Sequence, residues 1–257
     1  MVVNDLGLIL AGEGLDGGDT LANEGTYFFL HHIGAKEIPQ RNLLWVHVLR
    51  QLLDDKTSKL RRCNSLVKPD WTQDLDRGSR DQLRPFFAAC ATNTTYRTEA
   101  RRVMLEHLKR GFLFTYNTRR NGATKENHGQ VYKAVSGKEA KRDYSWKTPD
   151  FTGPEYVALM IRAAKLKILY PLLGVLDLFA VGAALLAHLR PEADTDCRNQ
   201  VLGLAVSQLV MPTPFSWLAS KIYKRSGVAE RVLAWFSRPG EVVELGRGLS
   251  SVVKKIL

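Results

Sequence analysis

The sequence has few of the residues and motifs that identify common protein classes. Its 257 residues include three cysteines, Cys63, Cys90 and Cys197, and none of them has CxxC spacing. An odd number of cysteines, two of them in apolar stretches, predicts reduced core residues rather than a disulfide framework. The first fifteen residues lack the positively charged leader of a secretory signal, so we expect synthesis in the cytoplasm.

Motifs for metal or nucleotide binding are also missing. The sequence contains no P-loop and no dinucleotide fingerprint, and His31, His32 and His107 lack ligand spacing. Asp194 and Asp196 resemble the start of a calcium loop, but the glycine and the terminal glutamate that such a loop needs are absent. The sequence therefore predicts neither a metal ion nor a cofactor.

Positive charge is in excess. Lysine and arginine total 37 against 26 aspartate and glutamate, which gives a net charge of +11. Such a balance favours a polyanionic partner, namely nucleic acid, an anionic glycan or a membrane surface. A soluble protein with a well-solvated basic surface explains the same balance equally well.

The apolar residues recur at intervals of three and four, and no strand alternation or internal repeat is visible. We therefore predict a mainly α fold of helical hairpins, with one helical domain over residues 1–225 and an amphipathic C-terminal extension over 226–257. The chain is long enough to bury a substantial core. The expected helices cover 21–33, 43–60, 79–91, 98–114, 155–167, 168–189, 198–210 and 215–224, with two shorter ones after 227.

The apolar run over 168–189 permits two interpretations. Its length approaches the ~20 residues that a membrane span needs. Asp177 lies at its centre and Pro171 near its start, and a central charge costs roughly 2.5–3.5 kcal/mol on insertion scales. We expect a buried central helix, with a membrane span as the alternative.

The segment 117–154 has no sustained period and is predicted to be a long irregular loop. Its excess of cations predicts contact with a polyanion. Its aromatic residues Tyr132 and Trp146 suit stacking on sugar rings or bases, and equally suit anchoring the loop to its own domain. The cations that we assign to polyanion binding are Arg119, Arg120, Lys141 and Arg142.

Two polar segments about sixty residues apart each precede a predicted helix. The first is Asp16-Gly17-Gly18-Asp19-Thr20 and the second is Ser79-Arg80-Asp81-Gln82. Carboxylate and amide groups at helix starts, among glycines that let a ligand approach the backbone, are suited to a polar binding site. They are equally suited to capping, and Ser79 with Gln82 matches a capping box.

A resemblance covers most of residues 12 to 225. The two polar segments, together with three further motifs, resemble a group of phage and prophage proteins. The resemblance implies a phage-linked helical protein, with an incomplete α/α toroid as one arrangement of its hairpins, and it transfers no catalytic residue. The further motifs are Trp71 with Asp76, Leu176-Asp177-Leu178-Phe179, and Met211-Pro212-Thr213-Pro214-Phe215-Ser216-Trp217-Leu218-Ala219.

Proteins with the toroid arrangement often act on polysaccharides, and glycoside hydrolysis needs two carboxyl groups facing one sugar bond. The candidate carboxylates are Asp16, Asp19, Asp76 and Asp81. Asp19 and Asp81 are assigned as general acid and base, in either order. The candidate substrate-binding residues are Arg80 and Gln82, with Trp71, Tyr132 and Trp146 as stacking partners. The alternative is that Asp19 and Ser79 only cap helices, each contributing about 1 kcal/mol.

Three functional hypotheses follow from the sequence. The first is recognition or cleavage of a glycan in a phage context. The second is a non-enzymatic virion or assembly component that contacts nucleic acid or partner proteins. The third is membrane association through 168–189. Two carboxylates that converge in an open cleft would favour chemistry, whereas caps buried against their own backbone would favour structure.

Overall fold

The computed structural model describes residues 2–3, 6–10, 20–35, 44–61, 80–109, 113–115, 131–133, 152–189 and 197–257. Within these ranges the protein is mainly α-helical, which confirms the predicted fold class. Two short antiparallel pairs are the strands of the described part: Val2–Val3 (β1) with Ile9–Leu10 (β2), and Leu113–Thr115 (β3) with Val131–Lys133 (β4).

The described residues form ten α-helices and two 3₁₀ turns, Thr94–Tyr96 and Lys167–Leu172. The helices are Thr20–His32 (α1), Trp45–Leu52 (α2), Arg80–Thr92 (α3), Arg97–Lys109 (α4), Thr152–Ala164 (α5), Leu173–Leu189 (α6), Cys197–Leu209 (α7), Pro214–Arg225 (α8), Val228–Phe236 (α9) and Val243–Lys255 (α10).

A chain of aromatic rings connects the first half of the core. Phe28 of α1 contacts Trp45 of α2 with ring centroids 5.1 Å apart, and Trp45 contacts Phe86 of α3 at 6.2 Å. Phe86 meets Phe87 edge to face at 5.0 Å, and Phe87 meets Tyr156 of α5 at 5.7 Å. Edge-to-face and tilted pairs are the favoured aromatic geometries. These ring contacts therefore fix the relative positions of α1, α2, α3 and α5.

The C-terminal helices belong to the same core. α9 and α10 pack on each other and on α7 and α8, and α10 also contacts α1. Leu245 and Leu249 of α10 are buried in the cluster that holds the apolar residues of the other helices. The segment predicted as an extension after residue 225 therefore contributes directly to the packed interior.

The helix predicted over 43–60 is about half as long as expected. α2 ends at Leu52, and the chain then turns back so that Leu53 pairs with Leu60. The reason is local: the carboxylate of Asp54 accepts hydrogen bonds from the backbone N–H and the hydroxyl of Thr57, at 2.7 and 2.5 Å. Such Asp-centred turns compete with helix continuation.

Two further predictions need correction. The segment 117–154 is not irregular throughout, because Val131–Lys133 pairs with Leu113–Thr115 and α5 begins at Thr152. The helix predicted over 215–224 begins one residue earlier, at Pro214, with Thr213 as its N-cap; the side chains of Thr213 and Ser216 form a reciprocal capping box.

Helix α6 is buried on one side only. Asp177 is 3% exposed, as expected of a core helix, whereas Val175 is 65% and Leu189 is 71% exposed. The segment Lys167–Leu189 is the one helical stretch of the described part that is long and apolar enough to cross a membrane, with a mean hydropathy of 2.1 over an 18-residue window of which 39% is buried. The sequence did not reveal this division into two faces.

Candidate functional site at the helix amino termini

The two polar segments singled out in the sequence lead into α1 and α3, which run parallel. The backbone N–H of Ala22 donates to Oε1 of Gln82 at 3.1 Å, near the starts of both helices. At their other ends, Nδ2 of Asn93 and Nε2 of His32 are 3.3 Å apart. Residues that contact each other across the two helices differ in number by about sixty at both ends of the pair. Thr20 and Arg80, the first residues of α1 and α3, therefore lie at the same end.

Close approach of these helices depends on one glycine. A Cβ added to Gly25 would lie 2.5 Å from the carbonyl carbon of Pro85 and 2.8 Å from the backbone nitrogen of Phe86. Only a residue without a side chain fits at this contact. Pro85 lies inside α3, five residues after its start, and its backbone carbonyl group contacts α1 at Gly25.

Helices α5 and α7 begin at the same end. Near their C-terminal ends, Nε of Arg162 donates to the carbonyl oxygen of Val210 at 2.9 Å. Near their starts, Glu155 of α5 and Asn199 of α7 line one cavity together with Arg84 of α3. The starts of α1, α3, α5 and α7 therefore lie together, and the partial positive charges of helix N-termini add there.

Buried polar side chains are concentrated in the first turns of these helices. Glu24 of α1 accepts the backbone N–H of Ile9 at 2.5 Å, which ties β2 to this end of the molecule. Gln82 and Arg84 of α3 are 0% and 2% exposed. The full set is Thr20, Asn23 and Glu24 on α1, Gln82 and Arg84 on α3, and Arg198, Asn199 and Gln200 on α7.

Asn23 is unusual within this set. It is 1% exposed, and neither atom of its side-chain amide has a hydrogen-bond partner in the described part of the chain. A buried amide without a partner costs about 1–3 kcal/mol of stability. A polar group kept at such cost is a candidate for binding a ligand.

The cavity below the helix starts is too small for a sugar. It measures about 20 Å³, which is room for a water molecule and not for a pyranose ring. Gly203 of α7 contributes to its lining, and a Cβ built there meets no atom within 4 Å. The cavity therefore does not hold a saccharide ring.

A buried ion pair closes the lower part of this cavity. Arg162 of α5 donates to both carboxylate oxygens of Asp177 of α6, at 2.8 and 2.6 Å. The hydroxyl of Thr213 donates to the same carboxylate at 2.6 Å, and Arg162 also binds the carbonyl oxygens of Val210 and Met211. With every group satisfied, the pair joins α5 and α6 to the turn before α8.

The pairing of Arg162 with Asp177 was not predicted, although the sequence indicates it. Each residue is a single charge in an otherwise apolar helical stretch, and the two charges have opposite signs. Buried charges are almost always paired. Two isolated opposite charges in neighbouring apolar helices therefore predict contact with each other.

Most of the predicted site residues lie outside the described residues. These are Asp16, Asp19, Asp76, Trp71, Trp146, Arg119, Arg120, Lys141 and Arg142. Arg80 and Asp81 are in the first turn of α3, and Tyr132 is in β4. For these three residues the structure describes the backbone and not the side chain. Gln82 is fully buried between α1 and α3, where it positions the first turn of α1.

The described thiol is inert. Cys90 is fully buried in α3, and burial raises the pKa of its thiol far above the usual range. A thiol that stays protonated is not a nucleophile. This confirms the prediction of a core role for Cys90; Cys63 lies outside the described residues, and the side chain of Cys197 is not described.

Among the described residues, no three side chains of His, Cys, Asp or Glu come together in a way that could hold a metal ion. No protein-family model matches the chain, and neither a curated protein nor a solved structure matches it.

Proposed function

We propose that the chain binds an acidic glycan at the end of the molecule where α1, α3, α5 and α7 begin, and cleaves it there by acid–base catalysis. The observation that carries this proposal is the parallel packing of α1 and α3, with the Ala22–Gln82 hydrogen bond at 3.1 Å. Asp19 immediately precedes α1 in the sequence, and Asp81 is the second residue of α3. The two segments assigned to acid–base work thus lead into neighbouring helices that start at one end.

We propose that side chains at two neighbouring helix starts reach the separation that glycoside hydrolysis needs. Packed helices usually lie about 8–10 Å apart, and Gly25 allows α1 a close approach to α3. Retaining glycosidases hold their carboxyl groups roughly 5–5.5 Å apart and inverting ones roughly 6.5–9.5 Å apart. One carboxyl group protonates the glycosidic oxygen, while the other attacks the sugar or activates water.

Charge favours an acidic rather than a neutral sugar. The N-termini of four helices present partial positive charge and backbone N–H groups toward the same end. Arg80 is in the first turn of α3, and the chain carries a net charge of +11. A uronic acid carboxylate matches this environment, because Arg binds carboxylates in a bidentate manner.

The proposal assigns a role to Asn23. The amide of this residue would donate to and accept from hydroxyl groups of the bound sugar, which offsets the cost of burying it. The first turn of α1 must open slightly to admit a hydroxyl group, because the side chain is 1% exposed in the described structure.

Calorimetric titration with an oligosaccharide that contains uronic acid tests the binding step. We expect the parent to bind this ligand and to bind a neutral oligosaccharide of equal length at least tenfold more weakly. Asn23→Leu should weaken binding about tenfold without loss of melting temperature, because Leu has a similar size and no unsatisfied amide. Arg102→Gln, at an exposed ion pair with Asp55 remote from the helix starts, is the matched control and should bind as the parent does.

Titration with duplex DNA tests the alternative function, in which the protein is a virion component that contacts nucleic acid. The net charge of +11 alone favours DNA at low salt. Salt-dependent DNA binding that Asn23→Leu leaves unchanged, together with no binding of either oligosaccharide, would favour the virion role over the glycan role.

A further inference from the structure

Two adjacent helices, α6 and α8, expose apolar side chains at the surface of the protein. On α6 it includes Val175, Leu178, Phe179 and Leu185, which are 41–65% exposed, and on α8 it includes Trp217 and Leu218, which are 54% and 42% exposed. We call these six residues the α6–α8 face. Most of the exposed large apolar side chains in the described part of the protein lie on these two helices and the turns that flank them.

The two helices lie side by side and run in the same direction. The hydroxyl of Thr213, just before α8, donates to Asp177 near the start of α6. Arg231, in the first turn of α9, donates to the carbonyl oxygen of Ala187 near the end of α6. The face therefore extends along most of the length of α6, which is roughly 25 Å for its 17 residues.

The exposed apolar side chains of α6 lie along one side of the helix. Val175, Leu178, Phe179 and Leu185 follow one another at helical spacing, and Ala180, Ala184 and Ala187 on the other side are buried. No polar side chain interrupts the exposed stripe between 173 and 187, because Asp177 is buried in its pair with Arg162. Contiguous exposed apolar surface of this kind marks an interaction site.

The exposed charges on α6, on α8 and on the turn before α6 have one sign. Within 165–189 and 201–226 the cationic residues are Lys165, Lys167, Lys221, Lys224 and Arg225, and the single acidic residue is the buried Asp177. Nζ of Lys221 lies 3.5 Å from the ring centroid of Trp217, so the aromatic ring and a cation share one position on the surface. This combination is characteristic of proteins at an anionic lipid surface, where apolar side chains enter the headgroup boundary and lysines contact phosphates.

We propose that the α6–α8 face docks on an anionic membrane surface, with α6 and α8 parallel to the membrane plane. The apolar stripe enters the headgroup boundary, Trp217 lies at the interface, and Lys167, Lys221 and Lys224 contact lipid phosphates.

The packing of α6 favours this orientation over a membrane span. The inner side of α6 packs on α5 and α8, and the Arg162–Asp177 pair anchors its first half to α5. A span would require this satisfied pair and the adjoining soluble core to enter the hydrocarbon, where polar groups are costly. Docking of the exposed side leaves both in place.

Flotation with large unilamellar vesicles tests the proposal on the full chain. The vesicles contain equal parts of phosphatidylcholine and phosphatidylglycerol, and pure phosphatidylcholine vesicles serve as the comparison. We expect binding to the anionic vesicles that falls with added salt, and at least tenfold weaker binding to the neutral vesicles.

Matched variants separate the apolar contribution from the cationic one. Leu178→Ser/Trp217→Ser should weaken vesicle binding at least tenfold. Leu105→Ser/Leu108→Ser removes equally exposed apolar groups from α4 and should leave binding unchanged. Lys221→Gln/Lys224→Gln should weaken binding to the anionic vesicles about tenfold; Lys254→Gln/Lys255→Gln on α10 should not. Circular dichroism checks that each variant is folded.

Three outcomes would overturn the proposal. The first is a monomeric parent that binds neither kind of vesicle. The second is a dimer without vesicle binding that Leu178→Ser/Trp217→Ser dissociates in sedimentation, because the face would then contact a second copy of the chain. The third is protein that stays with the vesicles after a carbonate wash, because in-plane docking is reversible whereas a span is not.

Discussion

Arg162 of α5 and Asp177 of α6 form a buried bidentate ion pair, with N–O distances of 2.8 and 2.6 Å, that joins the two helices. The side chains are 2% and 4% exposed. The carboxylate is also bound by Thr213, and the guanidinium by the carbonyl oxygens of the turn before α8. One pair therefore sets the relative positions of α5, α6 and the start of α8.

Removal of one partner should be much more harmful than removal of both. Asp177→Ala leaves the buried guanidinium of Arg162 uncompensated and should lower the free energy of unfolding by about 3–5 kcal/mol. The double variant Arg162→Met/Asp177→Leu should recover most of that loss. Urea denaturation measures both, with Asp55→Ala at an exposed pair as a control that should change little. If the double variant loses as much free energy of unfolding as the Arg162→Met and Asp177→Leu single variants lose together, the two side chains do not stabilise the protein as a pair.

The contact between α1 and α3 should tolerate no side chain at position 25. Gly25→Ala places a Cβ 2.5 Å from the carbonyl carbon of Pro85, and the backbone must move. We expect the free energy of unfolding to fall by about 1–3 kcal/mol. Gly203→Ala in α7 meets no atom within 4 Å and should gain about 0.5–1 kcal/mol from helix propensity. Equal melting temperatures for the two variants would show that the helices do not approach this closely.

His32 should make stability depend on pH. Burial, and secondarily the neighbouring His31, lowers the pKa of His32 below its usual 6.5. Between that lowered pKa and 6.5 the unfolded chain binds more protons than the folded chain, so stability decreases as the pH falls through this range. His32→Gln keeps a partner for Asn93 and should flatten the dependence of melting temperature on pH, because it removes the group whose pKa is lowered in the folded chain. An unchanged slope in His32→Gln would contradict the assignment.

Helix type and approximate position could be predicted from the sequence because apolar spacing follows from burial of one face. The helix predicted over 168–189 begins at Leu173, because Pro171 lies in a 3₁₀ turn, Lys167–Leu172, that precedes it. The end of α2 could not be predicted, since the turn centred on Asp54 depends on a hydrogen bond to Thr57 that competes with helix propensity.

The site was harder to predict than the helices. The sequence indicated that the two polar segments lead into helices, but the parallel packing of α1 and α3 depends on Gly25, whose close contact is set by tertiary structure. The grouping of Arg84, Glu155 and Asn199 around one cavity likewise joins residues from three distant segments. Single-sequence patterns report on local periodicity and carry no information on which helix starts share an end.

Release of reducing ends from a polysaccharide rich in uronic acid shows whether the protein cleaves a glycan. The parent should release reducing ends, and Asp19→Asn and Asp81→Asn should each lower the rate roughly 10²-fold or more while remaining folded, because the amide keeps the shape and cannot exchange a proton. Asp55→Asn, at a 90% exposed carboxylate on the turn after α2, should match the parent. No release by the parent, or equal rates in all four proteins, would contradict the claim that the starts of α1 and α3 form a glycan-cleaving site.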